Sequence, residues 1–388
     1  MTNTLAASWP YPTQIRIAPG CVAELADRCE QHGIERPLIV TDPGMVDLPA
    51  FASVLAALPE ATPVFSDIQP NPVGANIDAG SEVFRSGSHD AVIAVGGGSA
   101  LDAGKVIAFH AGQTRPIWDF EDVGTNWQLA DADAIAPVIA IPTTAGTGSE
   151  VGRAGVVINE ATKRKMIIFH PDMLPVAVLA DPNLTIGLPR FLTVGTGMDA
   201  LSHSLEAYCA TGFHPMGHGI AIEGCRLVVE HLPRVVADPE DLASRTQMMA
   251  AAMMGAAAFQ KGLGGMHALS HPIGARYNTH HGMTNAVVMP YVLQANRAAI
   301  EESIGLLASY LSIGGGYDGF LQRILELRDT FDVPHTLADL GVDADAVDAI
   351  AAEAAVDPSG GGNPIPFTEE LAGEVFSAAH AGDVDAPA

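Results

Sequence analysis

The run Ala91-Val92-Ile93-Ala94-Val95 passes directly into Gly96-Gly97-Gly98-Ser99 and then into Ala100-Leu101-Asp102-Ala103-Gly104-Lys105-Val106-Ile107-Ala108. An unbroken apolar, β-branched run reads as a strand buried on both faces, and glycines free the backbone for a tight turn. A strand that feeds a helix through such a turn is the repeating unit of a parallel sheet covered by helices. The same turn is an anion site, because backbone N–H groups and the helix dipole both face it. It is not the ordinary dinucleotide fingerprint: Gly-x-Gly-x-x-Gly is missing, and the acidic candidate Asp42 precedes the glycines. Nor is it a P-loop, since Val106 stands where Ser or Thr is required.

Further short runs at 13–17, 37–41, 64–68, 138–141, 166–169 and 176–180 alternate with helical stretches and predict the rest of the sheet. Ligands of such sheets bind beyond the carboxyl ends of the strands. Asp42 ends one run and suits a ribose diol, or simply the start of a turn. Asn71, in Gln69-Pro70-Asn71-Pro72, suits a cofactor contact or a helix cap. Pro142-Thr143-Thr144-Ala145-Gly146-Thr147-Gly148-Ser149-Glu150-Val151 offers more hydroxyls and backbone donors for the same phosphates or ribose. Two such loops in one sheet are hard to explain as packing alone.

Strand patterns vanish after about residue 184, and helical ones take over at 223–232, 242–259, 300–311, 319–331, 345–355 and 368–380. Asp343 and Thr368 are expected N-caps for the last two. The expected division is an α/β nucleotide-binding domain over 1–184 and an all-helical, metal-binding domain over 185–388. In the second half Asp199 and His203 are four apart on a helix marked by Leu192, Met198, Leu201 and Leu205, so both leave one face. His267 and His271 repeat that spacing, with His280 and His281 following. One carboxylate with two or three imidazoles suits Fe(II) or Zn(II) and leaves room for a substrate oxygen. Spacing leaves the choice among these histidines open. Pro272 predicts a bend that turns His267 and His271 apart. His214 and His218 share the spacing, but Pro215 and Gly217 argue against a continuous helix, so that pair is read as structural.

A formal charge of −26 argues against nucleic acid and anionic lipid as partners. Cys21, Cys29, Cys209 and Cys225 form no Cys-x-x-Cys pair, so a reducing, cytoplasmic setting is expected. No apolar run reaches the roughly 18 residues of a membrane span. The stretch Met1 to Ala7 lacks the pattern of a secretory leader.

The motifs 96–99 and 142–151, Gly197-Met198-Asp199-Ala200-Leu201-x-His203, Gly262-Leu263-Gly264-x-Met266-His267-x-x-x-His271-Pro272, Tyr277-Asn278-Thr279-x-His281-Gly282 and finally Gly361-Gly362-Asn363-Pro364 resemble the iron-containing (group III) alcohol dehydrogenases. The resemblance runs over nearly the whole chain. It implies a Rossmann-like N-terminal domain and an all-α C-terminal domain, the dehydroquinate synthase-like plan, with nucleotide and metal in the cleft between them. It implies Asp199, His203, His267 and His281 as metal ligands, with Fe(II) ahead of Zn(II). His271 is then left to move a proton between the active site and solvent. For NAD it implies Asp42 at the adenosine ribose and Gly97, Gly98 and Ser99 at the pyrophosphate. Thr143, Thr144 and Thr147 would serve the phosphates and the nicotinamide side, with Asn71, Asp102, Lys165 and Leu184 as further contacts. Asp42 would repel a 2′-phosphate, which favours NAD over NADP.

The implied activity is hydride transfer between a small or medium alcohol and NAD, by a cytoplasmic homodimer or larger homo-oligomer. Alternatives on the same fold are glycerol dehydrogenase, maleylacetate reductase, a specialised hydroxy-acid dehydrogenase and dehydroquinate synthase. The last needs several basic residues for a sugar phosphate, and the metal motifs carry mainly Lys261 and Arg276. A catalytically silent relative that only binds nucleotide or a partner protein would not need intact metal and phosphate motifs. The stretches around Ala154, Phe259, Leu263 and Met266 are candidates for a substrate wall, with Phe259 and Met266 read equally as plain core.

Overall fold

The computed structural model describes residues 13–59 and 61–385, so the stretch Met1 to Ala7 lies outside the described residues. The chain forms two compact units, each described separately: the described residues up to Pro189 together with Pro239–Met253, and Arg190–Asp238 together with Met254 onward.

The first unit carries strands β1 (Gln14–Ile17), β2 (Pro37–Val40), β3 (Val64–Phe65), β4 (Ala91–Gly96), β5 (Val138–Pro142), β6 (Ala154–Asn159), β7 (Arg164–Phe169) and β8 (Ala177–Ala180). Helices α1 (Leu25–Gln31), α2 (Pro49–Ala56), α3 (Gly74–Ser86) and α4 (Gly98–His110) lie between them. Six strands form one parallel sheet in the order β1-β8-β5-β4-β2-β3. Its faces follow the period of two along each strand. Leu38, Val40, Val92 and Ala94 pack with Ile77, Val106 and Ile107 of α3 and α4 on one side. Ile39, Ile93, Val95 and Ile139 pack with Leu25, Phe51 and Val54 of α1 and α2 on the other. Cover on both faces explains why β4 reads as unbroken apolar sequence. The register pairs Gly96 with Pro142, so the turns after β4 and β5 emerge side by side, and the Thr143 N–H donates to the Gly96 carbonyl at 3.0 Å.

Two expectations change here. The run at 64–68 keeps only two residues as strand. The run at 166–169 belongs to an antiparallel hairpin of β6 and β7, outside the parallel sheet. Its turn forms because Asn159 Oδ1 accepts the N–H groups of Ala161 and Thr162 at 3.0 and 3.3 Å, and Lys163 takes a φ of 54°.

The second unit is helical: α5 (Arg190–Cys209), α6 (Pro215–Ala237), the end of α7 (Leu242–Ala258), α8 (Gly265–Tyr277), α9 (His281–Ala295), α10 (Arg297–Tyr310), α11 (Gly316–Thr330), α12 (Val347–Ala354) and α13 (Glu369–Ala381). Proline acts less as a breaker than the sequence suggests. Pro215 opens α6 at its first position, where a missing N–H costs nothing, and His214 Nδ1 caps that helix by accepting the Gly217 N–H at 2.9 Å. Helix α8 continues through Pro272 and ends at Asn278, whose φ of 51° makes a left-handed cap. His267 and His271 therefore stay on one face, their ring centroids 6.0 Å apart. Thr368 caps α13 as expected, accepting the Leu371 N–H, whereas Asp343 makes no cap bond and instead accepts from the Tyr277 hydroxyl at 3.4 Å.

Candidate metal and nucleotide sites

Helices α5, α8 and α9 of the second unit bring their polar residues to one buried point. Asp199, His203 and His267 each offer a ligand atom, all within 4.8 Å of one another. Asp199 is 3% exposed, His203 4% and His267 2%. His281, the first residue of α9, sets its Nε2 3.6 Å from Asp199 Oδ1, and its ring is 5.1 Å from that of His267. Close approach of two helices makes this possible. A Cβ on Gly282 would strike the Gly195 carbonyl oxygen and would stand 2.7 Å from Asp199 Cβ.

The surrounding groups fix the imidazoles. Glu206 Oε2 lies 2.5 Å from His267 Nδ1, and its Oε1 accepts the Met266 N–H at 2.7 Å. An ionised carboxylate takes the Nδ1 proton as a hydrogen bond and leaves the Nε2 lone pair facing the cluster. Burial alone disfavours the His267 imidazolium, but Glu206 and then Asp199 outweigh it and raise its pKa. Ser270 Oγ donates to the His267 carbonyl at 3.2 Å and lies 3.2 Å from His281 Nδ1, so it can accept that proton and turn His281 Nε2 inward. His271 Nδ1 is 2.9 Å from Asp357 Oδ2. Burial would raise the Asp357 carboxyl, yet His271 and the Ser359 N–H hold it below its usual range. One carboxylate and inward-facing imidazole nitrogens, oriented by hydrogen-bonded neighbours, are a donor set that fits a divalent transition metal.

In the first unit the strand-end loops converge on the N-terminus of α4. No side chain caps that helix and no acidic residue lies in its first turn. Its first N–H groups have no intrahelical acceptor, which fits a phosphate. Gly96 turns the chain with a φ of 141°, and a Cβ there would meet Ala100 Cβ at 2.8 Å and Asp42 Oδ2 at 3.4 Å. Thr144 lies 3.2 Å from the position of a Cβ on Gly97, and Thr147 Oγ1 lies 2.5 Å from one on Gly98. The Asn71 N–H donates to Ser99 Oγ at 3.4 Å. Asp42, Asn71, Gly97, Gly98, Ser99, Thr143, Thr144 and Thr147 are thus gathered. Asp42 also begins a turn, with its carboxyl raised by burial and lowered in part by the Gly44 and Met45 N–H groups.

Three other nucleotide candidates are placed differently. Asp102 accepts from Ser149 Oγ at 2.5 Å and from the Val156 N–H at 2.9 Å, and it pairs with the buried Lys105 at 3.3 Å. It points into the protein and holds the loop after β5 against α4. Lys105 donates to the carbonyls of Ser149 and Ala154 in the same knot. Leu184 is 6% exposed and packs in the core beside Leu179 and Ile141. Lys165 sits on β7 opposite Ile158, whose N–H donates to the Pro72 carbonyl at 2.8 Å.

Known proteins resemble this chain over nearly its whole length. The family profile described as "Iron-containing alcohol dehydrogenase" matches residues 12–182, and that described as "Fe-containing alcohol dehydrogenase family, C-terminal" matches 193–380. The chain belongs to the iron-containing alcohol dehydrogenase family. It is 37% identical to a 4-hydroxybutyrate dehydrogenase of Cupriavidus necator, over 91% of this chain and 94% of that one. It is 34% identical to an NAD-dependent methanol dehydrogenase of Bacillus methanolicus, over 90% and 93%. A crystal structure of a 1,3-propanediol oxidoreductase superposes with a TM-score of 0.90 at 32% identity, covering 96% of this chain and all of that one. As a family member the chain is an alcohol dehydrogenase, with the parallel-sheet and all-helical parts that its sequence predicts.

Sequence reasoning passed over Glu206, Ser270, Asn285 and Asp357. Three of them carried a signal. Glu206 is three residues after His203 and seven after Asp199, on the same helical stripe, Ser270 is three after His267, and Asn285 is four after His281. Asp357 meets His271 from 86 residues away, and no spacing rule reaches that far.

Proposed function

We propose that Asp199, His203, His267 and His281 hold one divalent metal, Fe(II) ahead of Zn(II), and that the protein exchanges hydride between a small or medium alcohol and NAD. The observation that carries this reading is the buried cluster of Asp199, His203 and His267 within 4.8 Å, with His281 Nε2 3.6 Å from Asp199. When bound, the metal supplies Lewis acidity that favours the alkoxide of the substrate, and NAD supplies the hydride acceptor. Gly97, Gly98 and Ser99 bind the pyrophosphate with backbone donors at the start of α4. Thr143, Thr144 and Thr147 supply hydroxyls beside them, and Asp42 binds the ribose diol and disfavours a 2′-phosphate. Asp102 acts by fixing the loop and Asn71 flanks the nucleotide beside Ser99, while Lys165 on β7 and the buried Leu184 act from the surrounding framework. Residues 1–184 serve the nucleotide and 185–388 the metal.

His271 moves the proton of the substrate hydroxyl toward solvent. Asp357 orients its Nδ1, and Asp357 lines a cavity of about 540 Å³ together with Thr211, Asn363 and Phe367. The family's iron-based name supports Fe(II), although the donor chemistry suits both ions. Four free cysteines support a reducing, cytoplasmic setting. Self-association as a homodimer or larger homo-oligomer belongs to the same reading.

Metal analysis of three variants tests the ligand set. His203→Ala and His267→Ala are expected to lose the metal and turnover, since removing a ligand opens the buried cluster. His271→Ala is expected to keep the metal and turn over more slowly, by about 10²-fold for a lost proton-transfer group. Full metal occupancy in the first two variants would overturn the assignment.

A further inference from the structure

One buried side chain touches three of the four proposed ligands and is itself neither an acid nor an imidazole. Asn285 lies one turn after His281 on α9 and is fully buried. Its Nδ2 is 2.9 Å from Asp199 Oδ1 and 3.3 Å from the Nε2 atoms of both His267 and His281. Its Oδ1 is buried with no hydrogen-bond partner among the described residues. A buried carbonyl left unsatisfied is destabilising, so packing alone is a poor reason for an amide at this position. The Nδ2 contacts supply a better one.

An ionised Asp199 and two inward Nε2 lone pairs repel one another when they face a common point. An amide nitrogen brings two hydrogens to that point and no formal charge. Lysine there would place a cation in competition with a metal ion, and aspartate would add a second negative charge beside Asp199. A neutral donor gathers the acceptors and still yields to a cation. We infer that Asn285 is a positioning residue for the metal centre, holding Asp199, His267 and His281 with their donor atoms turned toward one another independently of the ion. This inference rests on the proposed ligand set. It predicts that Asn285 contributes to metal affinity as a hydrogen-bonding neighbour of the ligands, a class of residue whose loss typically costs 10–100-fold.

The test is competition between the stripped full-length protein and a chelator of known affinity for Zn(II), with NADH binding and thermal melting of the stripped protein followed alongside. Asn285→Ala is expected to raise the Zn(II) Kd by about 10–100-fold while NADH binding is unchanged. Asn285→Ser, which keeps one small donor, is expected to recover part of the loss. Wild-type Zn(II) affinity in Asn285→Ala overturns the inference. If Asn285→Ala does not fold, Asn285→Ser decides the matter: weakened affinity supports the inference and unchanged affinity overturns it. A wild-type protein that takes up no Zn(II) or Fe(II) refutes the ligand set itself, a result distinct from equal binding by wild type and variant.

Discussion

Glu150 is 2% exposed, and burial pushes its carboxyl up to about 7 from an ordinary value of 4.5, with its own backbone N–H and Lys105 pulling the other way. Between those values the folded protein retains a proton that the unfolded chain has released. Stability therefore falls as pH rises through that window, by on the order of 2 kcal/mol between about pH 5 and about pH 7. Glu150→Gln is expected to flatten this fall, as read by urea denaturation at the two pH values. An equally steep fall in the variant would refute the argument. At this scale the sequence was legible wherever spacing carries meaning: Asp199 and His203 stand out because four residues make one helical turn. It was illegible where partners come from distant segments. Nothing near Asp102 in the chain says that its carboxylate will be taken by Ser149 and Val156, 47 and 54 residues on.

Helix α9 reaches the ligand cluster only because its second residue is glycine lying against Gly195 of α5. Gly282→Ala would drive a methyl group into the Gly195 carbonyl, so α9 must shift away and carry His281 with it. Overpacking of this kind typically costs about 1–3 kcal/mol. A lower melting temperature together with reduced metal content is the expected result, and a variant that melts and binds metal like the wild type would contradict it. The elements themselves were largely legible, since β-branched runs and helical periodicity respond to local burial. The misreadings share one cause. Pro215 and Pro272 were weighed as helix breakers, yet one occupies a first helical position and the other lies buried within α8, where tertiary packing outweighs local preference. The β6–β7 hairpin escaped for a related reason, because its turn depends on the Asn159 side chain and a left-handed Lys163.

Across the whole molecule, the gathered nucleotide candidates belong to one compact unit and the metal candidates to the other. Along the chain the strand-end loops precede 185 and the ligand helices follow it. The return of Pro239–Met253 to the first unit was not foretold: the buried Arg245 of that segment donates to Thr185 Oγ1 at 3.3 Å, a contact 60 residues distant in sequence. The central claim is that the two sets of residues together perform NAD-linked alcohol oxidation. Its most direct test is the absorbance of NADH formed by protein loaded separately with Fe(II) and Zn(II), over a panel of primary alcohols, diols and hydroxy acids, with NADP run in parallel. The account predicts NADH formation from at least one alcohol with a loaded metal, and slower reaction with NADP because of Asp42. No NADH from any alcohol with either metal, in protein that binds both NAD and metal, would contradict it.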